Sequence, residues 1–149
     1  MTNQQSVAVV GTGLIGCAWA AIFARAGWNV RLTDPHGPTL AAAPQRIADE
    51  LRALARHGLC DDPEAAAKRL TVAADLADAV TGVAFVQENG PEKVEDKIAI
   101  FRELDRLAPR DAILASSTSA IVASRFTENL PGRARCLVGH PVNPPHLVP

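Results

Sequence analysis

The residues VAVVGTGLIG, at positions 7–16, decide the fold of this chain. Four strand-forming residues run into a Gly-x-Gly-x-x-Gly turn, and small and apolar residues continue with helical character over positions 14–26. In a strand–turn–helix unit each glycine has a separate predicted task. Gly11 permits the sharp turn out of the strand, Gly13 lets a pyrophosphate come close to the backbone, and Gly16 lets the helix pack closely on the sheet. The segment therefore predicts a dinucleotide site near the N-terminus.

The start of this helix is the predicted place for the negative charge of that ligand. Backbone N–H groups in the first turn, at Leu14 and Ile15, have no partner inside the helix and lie at the positive end of its dipole. A second strand, predicted over positions 29–33, ends at Asp34, which lies 18 positions after Gly16. A carboxylate at an offset of about 20 positions accepts hydrogen bonds from the ribose of NAD and repels the extra phosphate of NADP. The alternative is that Asp34 only caps a helix or holds a turn.

The composition narrows the classes of function. The 149 residues suffice for one domain with a hydrophobic core, and 48% hydrophobic and 21% charged residues are ordinary for a globular protein. The net charge of −1 argues against nucleic acid and against a membrane surface as partners. No signal peptide or membrane span is predicted. Three widely spaced cysteines are typical of reduced thiols in a cytoplasmic protein and predict no metal site.

Strands and helices alternate along the whole chain. The predicted strands cover 7–10, 29–33, 70–73, 83–87, 112–116 and 136–139, and the predicted helices lie over 14–26, within 39–69, and over 75–80, 92–107 and 117–126. This alternation predicts a doubly wound α/β fold of the Rossmann type, with a mostly parallel sheet in the order 3-2-1-4-5-6.

The segment 39–69 is a helical insertion after strand 2. Two helices are predicted where a single crossover helix is expected, and Pro44 is expected to kink the first of them or delay its start. The insertion is either a solvated helical hairpin or a flap over the active-site cleft.

Polar residues follow the ends of several predicted strands. Ligands of such sheets bind beyond the carboxyl ends of the strands, so we expect Asp34, Glu88, segment 117–119 and segment 140–143 to meet at one rim. Oxidation of a secondary alcohol beside a dinucleotide removes a hydride and a proton, and a histidine suits the proton because its pKa lies near neutrality. His140 is the candidate base. The alternative is a structural histidine that bonds to a loop carbonyl.

Three motifs resemble the 3-hydroxyacyl-CoA dehydrogenase family: GTGLIG at 11–16, SSTS at 116–119 and GHPVNPP at 139–145. The HPVNPP form looks closest to the lambda-crystallin and L-gulonate 3-dehydrogenase branch, which also contains carnitine dehydrogenase relatives. The resemblance covers the whole chain and implies a role for each matching residue. The resemblance implies that His140 is the catalytic base, that Ser119 contacts substrate and nicotinamide, and that Asn143 is an active-site amide. It also implies that Glu92 and Lys97 contact the nicotinamide-ribose side of the cofactor and that Asp34 contacts the adenosine ribose.

The resemblance also implies a function. The small-molecule hydroxyacyl substrate would be a 3-hydroxyacyl-CoA or a related 3-hydroxy acid. It would be oxidised to the 3-keto product with NAD, as in fatty acid metabolism. The helical insertion would form a clasp near the acyl-CoA pocket. In the family the last motif continues to a glutamate that orients the histidine, and a C-terminal helical domain carries the homodimer contacts. Because the chain ends at Pro149, we expect residues 1–149 to be the NAD-binding domain of a truncated, longer dehydrogenase. The alternative is a non-catalytic NAD-binding structural or sensor protein of the crystallin kind.

Overall fold

The computed structural model describes residues 5–147 and contains one six-stranded sheet with helices on both faces. The strands are β1 (Ser6–Val10), β2 (Asn29–Thr33), β3 (Leu70–Val72), β4 (Phe85–Glu88), β5 (Ile113–Ser116) and β6 (Cys136–Val138). The helices are α1 (Leu14–Arg25), α2 (Gly37–Arg56), α3 (Pro63–Ala67), α4 (Leu76–Val80), α5 (Val94–Leu107) and α6 (Ser124–Thr127), and a short 3-10 turn at Arg133–Arg135 precedes β6.

The strand order is β3-β2-β1-β4-β5-β6, and the strands pair in parallel throughout. The predicted doubly wound fold and its strand order are therefore confirmed. At the carboxyl edge one row of paired residues crosses the sheet: Thr33, Val10, Glu88, Ser116 and Val138. Because five of the six strands end along this row, and β3 ends one position earlier at Val72, the residues that follow them come to one rim of the sheet.

The two faces of β1 belong to two separate apolar layers. Val7 and Val9 pack into the layer under α1, α2 and α3, whereas Ala8 and Val10 pack into the layer under α4, α5 and α6. A parallel strand covered on both faces needs apolar side chains in every buried position, which explains the apolar run Val7–Val10 of β1. No helix within the described residues is long and apolar enough to cross a membrane.

The first helix of the insertion begins earlier than the sequence predicted. Helix α2 starts at Gly37 and contains Pro44, so this proline does not delay its start. The start is fixed instead by His36, whose ring nitrogen Nδ1 accepts a hydrogen bond from the backbone N–H of Thr39, and by Pro38 in the first turn. Pro44 removes one backbone donor from a helix of 20 residues whose buried stripe holds it against α1.

The helix predicted over 117–126 is wrong in its extent, because α6 begins only at Ser124. The backbone N–H groups of Ser119 and Ala120 donate to the carboxylate of Glu92, which lies just before α5. The hydroxyl of Thr118 accepts the N–H of Ile121. These side-chain acceptors satisfy the backbone in an irregular loop, so no helical turn is needed there.

Candidate functional site

The glycine turn from β1 into α1 is tightly packed at Gly11 and Gly16 and open to solvent at Gly13. Gly11 has a φ of +89°, and a Cβ on it would lie 2.9 Å from the backbone of Asn89. A Cβ on Gly16 would lie only 1.9 Å from the carbonyl oxygen of Gly11. A Cβ on Gly13, by contrast, would meet no heavy atom within 4 Å. Gly11 and Gly16 are thus required by the fold, and Gly13 leaves a free approach to the backbone.

The space above the turn suits a dinucleotide. A cleft of about 810 Å³ runs past Gly13, Asp34 and Asn89 along the carboxyl edge of the sheet. No side chain caps the start of α1, so the N–H groups of Leu14 and Ile15 in its first turn are left for an anion. The residues present therefore fit a bound pyrophosphate, and the cleft continues to the carboxylate where a ribose is expected.

Asp34 lies at the end of β2 and lines this cleft. Its Oδ2 accepts hydrogen bonds from the backbone N–H and the hydroxyl of Thr12, at 2.7 and 3.2 Å, and its Oδ1 accepts from the N–H of His36 at 2.8 Å. The carboxylate thus holds the glycine turn and the start of α2 together. It also stays half-exposed toward the cleft, so the turn-holding role and a ribose contact are compatible in one side chain.

Ser119 and His140 meet at the rim from two different loops. Ser119 follows β5, His140 follows β6, and the serine Oγ lies 3.0 Å from the imidazole Nε2. Both residues are exposed, so a substrate hydroxyl has access to the pair. Asn143 is exposed three positions after His140 and makes no side-chain hydrogen bond within residues 5–147.

Glu92 anchors the loop that carries Ser119. Its Oε1 accepts hydrogen bonds from the hydroxyl of Thr118 at 2.6 Å and from the N–H groups of Ser119 and Ala120 at 2.9 Å each. Desolvation alone would raise the pKa of Glu92, but these hydrogen bonds and the nearby charge of Lys97 together lower it. The carboxylate is therefore ionised at neutral pH and holds the loop in place.

Lys97, for which the resemblance implies a cofactor contact, has its side chain buried beneath the rim, and that contact stays a prediction. Its side chain is 1% exposed, and its Nζ lies 3.0 Å from both carboxylate oxygens of Glu88, which is equally buried. The hydroxyl of Ser116 and the N–H of Gly90 donate to the same carboxylate, each at 2.6 Å. The ammonium is drawn inward because this carboxylate is the counter-charge that makes its burial possible.

The buried pair of Glu88 and Lys97 was missed at the level of the sequence, although one signal for it was present. Lys97, Phe101 and Leu104 share the buried stripe of α5. A lysine at the apolar spacing of a helix requires a buried partner, and Glu88 at the end of a strand is the acid that supplies it.

A model of the NAD-binding domain of the 3-hydroxyacyl-CoA dehydrogenase family matches residues 6–149. The chain belongs to this family. As an NAD-binding domain of 3-hydroxyacyl-CoA dehydrogenase type, it brings together the glycine turn, Asp34 and the Ser119–His140 pair at the carboxyl edge of its sheet. The cofactor predicted from the sequence, NAD, is confirmed by the family.

Two similar proteins support the assignment to this family. The lambda-crystallin homolog of Mus musculus is 38% identical over 146 residues, which cover 96% of this chain and 46% of that protein. The L-carnitine dehydrogenase of Streptomyces griseus is 39% identical over 147 residues, which cover 99% of this chain and 43% of that protein. The lambda-crystallin branch of the 3-hydroxyacyl-CoA dehydrogenases, predicted from the HPVNPP motif, is thus confirmed.

Solved structures of the family share the fold of this dehydrogenase domain. The 3-hydroxybutyryl-CoA dehydrogenase from Escherichia coli has a TM-score of 0.87 at 29% identity and is matched over 98% of this chain and 31% of its own. A 3-hydroxyacyl-CoA dehydrogenase from Archaeoglobus fulgidus has a TM-score of 0.80 at 29% identity over 98% of this chain and 45% of its own. The domain spans less than half the length of the relatives named here.

Proposed function

We propose that this chain supplies the cofactor site and the catalytic histidine of an NAD-dependent dehydrogenase. The substrate is a 3-hydroxyacyl-CoA or a related 3-hydroxy acid, and the product is the 3-keto compound. The observation that supports the proposal most is the contact of 3.0 Å between Ser119 Oγ and His140 Nε2 at the rim that also carries the glycine turn. A homodimer in the cytoplasm is the expected form of the whole enzyme.

The two side chains divide the chemistry of the alcohol between them. When His140 carries its ring hydrogen on Nδ1, the tautomer that a general base needs, the Ser119 hydroxyl donates to Nε2 at 3.0 Å. A substrate hydroxyl in the same place donates to Nε2, and Ser119 donates to the substrate oxygen instead. His140 then takes the hydroxyl proton as the carbon–hydrogen bond breaks and the carbonyl forms. NAD⁺ held over the glycine turn would supply the acceptor for the hydride. Asn143 is a further polar group for the substrate.

A non-catalytic role is the second candidate, and the lambda-crystallin relatives favour it. A structural or sensor protein of this kind would keep the glycine turn and Asp34 and bind NAD without oxidising an alcohol. The two proposals differ in turnover alone, so binding measurements do not separate them.

The test uses the full-length protein that contains this chain. NADH formation is measured with a panel that includes a 3-hydroxybutyryl-CoA, L-carnitine and L-gulonate, and His140→Gln is compared with His57→Gln. His57 is an exposed histidine at the carboxyl end of α2, away from the rim, and serves as the matched control. Loss of a general base lowers kcat/KM by about 10²–10⁴-fold with NADH binding retained. Normal turnover by His140→Gln contradicts the role of the base, and absence of turnover with every substrate favours the non-catalytic candidate.

A further inference from the structure

A polar network lies directly beneath the rim, and Ser117 is its centre. The Ser117 hydroxyl accepts hydrogen bonds from the indole N–H of Trp19 at 3.0 Å and from the side-chain amide of Gln87 at 2.7 Å, and it donates to Oδ1 of Asn89 at 2.7 Å. A hydroxyl has one donor and two acceptor positions, so all three are used here. Such complete use fixes the orientation of the group.

Gln87 extends the network to the loop before His140. This side chain is 1% exposed, and its amide Nε2 reaches the carbonyl oxygen of Gly139 at 3.4 Å as well as Ser117. Gly139 is the residue immediately before His140, and its own N–H donates to Ser116 at 2.9 Å. Both backbone groups of Gly139 are therefore tied to the neighbouring strand ends.

Asn89 extends the same network to the cofactor turn. Its amide Nδ2 donates to the carbonyl oxygen of Gln87 at 3.0 Å and lies 3.4 and 3.5 Å from those of Val10 and Gly11. Gly11 is the first glycine of the turn, so one connected set of hydrogen bonds joins that turn to the loops of Ser119 and His140.

We infer that Ser117 and Gln87 are positioning residues, which set the placement of the Ser119–His140 pair relative to the cofactor turn. The inference rests on the proposed function. His140 is exposed, and the contact with Ser119 is the only side-chain hydrogen bond of its ring within residues 5–147. Its placement therefore depends on the loop beneath it. A misplacement of about 1 Å in an active site reduces the rate by up to 10²-fold, so a network that acts only through the loop still affects the chemical step.

The variants remove single members of the network in the full-length protein. Ser117→Ala deletes the central hydroxyl, Ser117→Thr retains it, and Gln87→Met keeps the buried volume but removes the amide. Thr127→Val is the matched control, because Thr127 is a buried residue whose hydroxyl donates at 2.9 Å to the carbonyl oxygen of Ala123, just before α6, and bonds to no member of the network.

The expected result is a separation of turnover from cofactor binding. Ser117→Ala and Gln87→Met lower kcat by about 10- to 100-fold, the NADH dissociation constant stays within about threefold, and Ser117→Thr restores most of kcat. Thr127→Val reduces thermal stability but leaves kcat unchanged. If Ser117→Ala and Gln87→Met also lower only the melting temperature and leave kcat unchanged, the network is merely structural and the inference is overturned. Where Ser117→Ala does not fold, Trp19→Phe removes one donor and keeps the ring packing on Phe23, with Trp28→Phe as its control.

A second readout does not depend on turnover. The imidazole Cε1–H resonance of His140 is followed by NMR with selectively labelled histidine in the same variants. If the unsubstituted protein oxidises no substrate, the proposed function fails, but a shift of this resonance in Ser117→Ala and not in Thr127→Val still supports the positioning link. An unmoved resonance in Ser117→Ala and in Gln87→Met overturns the link, whatever the activity.

Discussion

Replacement of Lys97 by methionine should destabilise the fold severely, because it leaves the carboxylate of Glu88 buried without a counter-charge. Both side chains are 1% exposed, and the ammonium lies 3.0 Å from each carboxylate oxygen. Methionine has a similar length and fills the space, so a cavity is not the cause of the loss. Removal of one partner from a buried pair costs about 3–5 kcal/mol. That is a large part of the roughly 5–15 kcal/mol that stabilises a typical domain.

The assay is urea unfolding and thermal melting of matched variants. At about 2–4 °C per kcal/mol for a domain of this size, Lys97→Met should lower the melting temperature by about 6–20 °C. The double variant Glu88→Gln/Lys97→Met should recover at least half of the loss, because no charge is left unpaired and the amide still has partners: its oxygen accepts from the Gly90 N–H, and its NH₂ group donates to the Ser116 hydroxyl. Glu64→Gln is the control, because it breaks an exposed pair with Arg52 and should hardly move the midpoint.

Two results would refute this reasoning. A loss below about 1 kcal/mol in Lys97→Met, the range of exposed ion pairs, would show that the pair is solvated. A double variant no more stable than Lys97→Met would show that the unpaired charge is not the cause. The double variant also tests the role implied by the resemblance: a direct contact between Lys97 and the cofactor predicts that NADH affinity stays low after stability has recovered.

Three further predictions concern the rim. Gly13→Ala should leave the melting temperature nearly unchanged, because its Cβ meets only open space. It should weaken NADH binding in a fluorescence titration, because that space is where the pyrophosphate is expected. Gly16→Ala should instead destabilise the protein, because its Cβ would lie 1.9 Å from a carbonyl oxygen. Asp34→Asn should reduce the preference for NADH over NADPH in the same titration, and an unchanged ratio would assign Asp34 to the turn alone. Because the folded-state pKa of Glu92 lies below its ordinary value of 4.5, its contribution to stability is present above pH 4.5 and is lost as the pH falls through the lower, folded-state value. The melting temperature of Glu92→Gln should therefore depend less on pH in that acid range than the melting temperature of the unsubstituted protein.

Local signals were sufficient for most of the fold. Asp62 and Asp75 are the N-cap residues of α3 and α4, and their carboxylates accept hydrogen bonds from the backbone N–H groups three positions later. The strand order followed from the glycine turn and the alternation of strands and helices, since right-handed crossovers allow few arrangements. Features decided within a few residues of one another can be predicted from sequence in this way.

The errors lie where distant residues decide the structure. The loop 117–123 has capping residues at its start and was predicted as a helix, yet the carboxylate of Glu92 takes the N–H groups that would have begun it. The ion pair of Lys97 was missed for the same reason: this residue has the spacing of a core residue and the charge of a surface residue, and its partner Glu88 lies at the end of β4. Single-sequence patterns do not carry these contacts, because each joins two elements whose packing must be known first.

The polar residues just below the rim explain how exposed residues can form a precise site. Ser119 and His140 must be open to substrate, and both are exposed. Beneath them the sheet ends in Gln87, Glu88 and Ser116, three buried polar side chains that would be costly if they were not hydrogen-bonded. Hydrogen bonds depend on direction and apolar contacts do not, so this polar layer fixes the angles at which the loops leave the strands. Substitutions in this layer should therefore affect the geometry of the site, whereas a substitution at Gly13 in the turn above it should affect the binding of the cofactor.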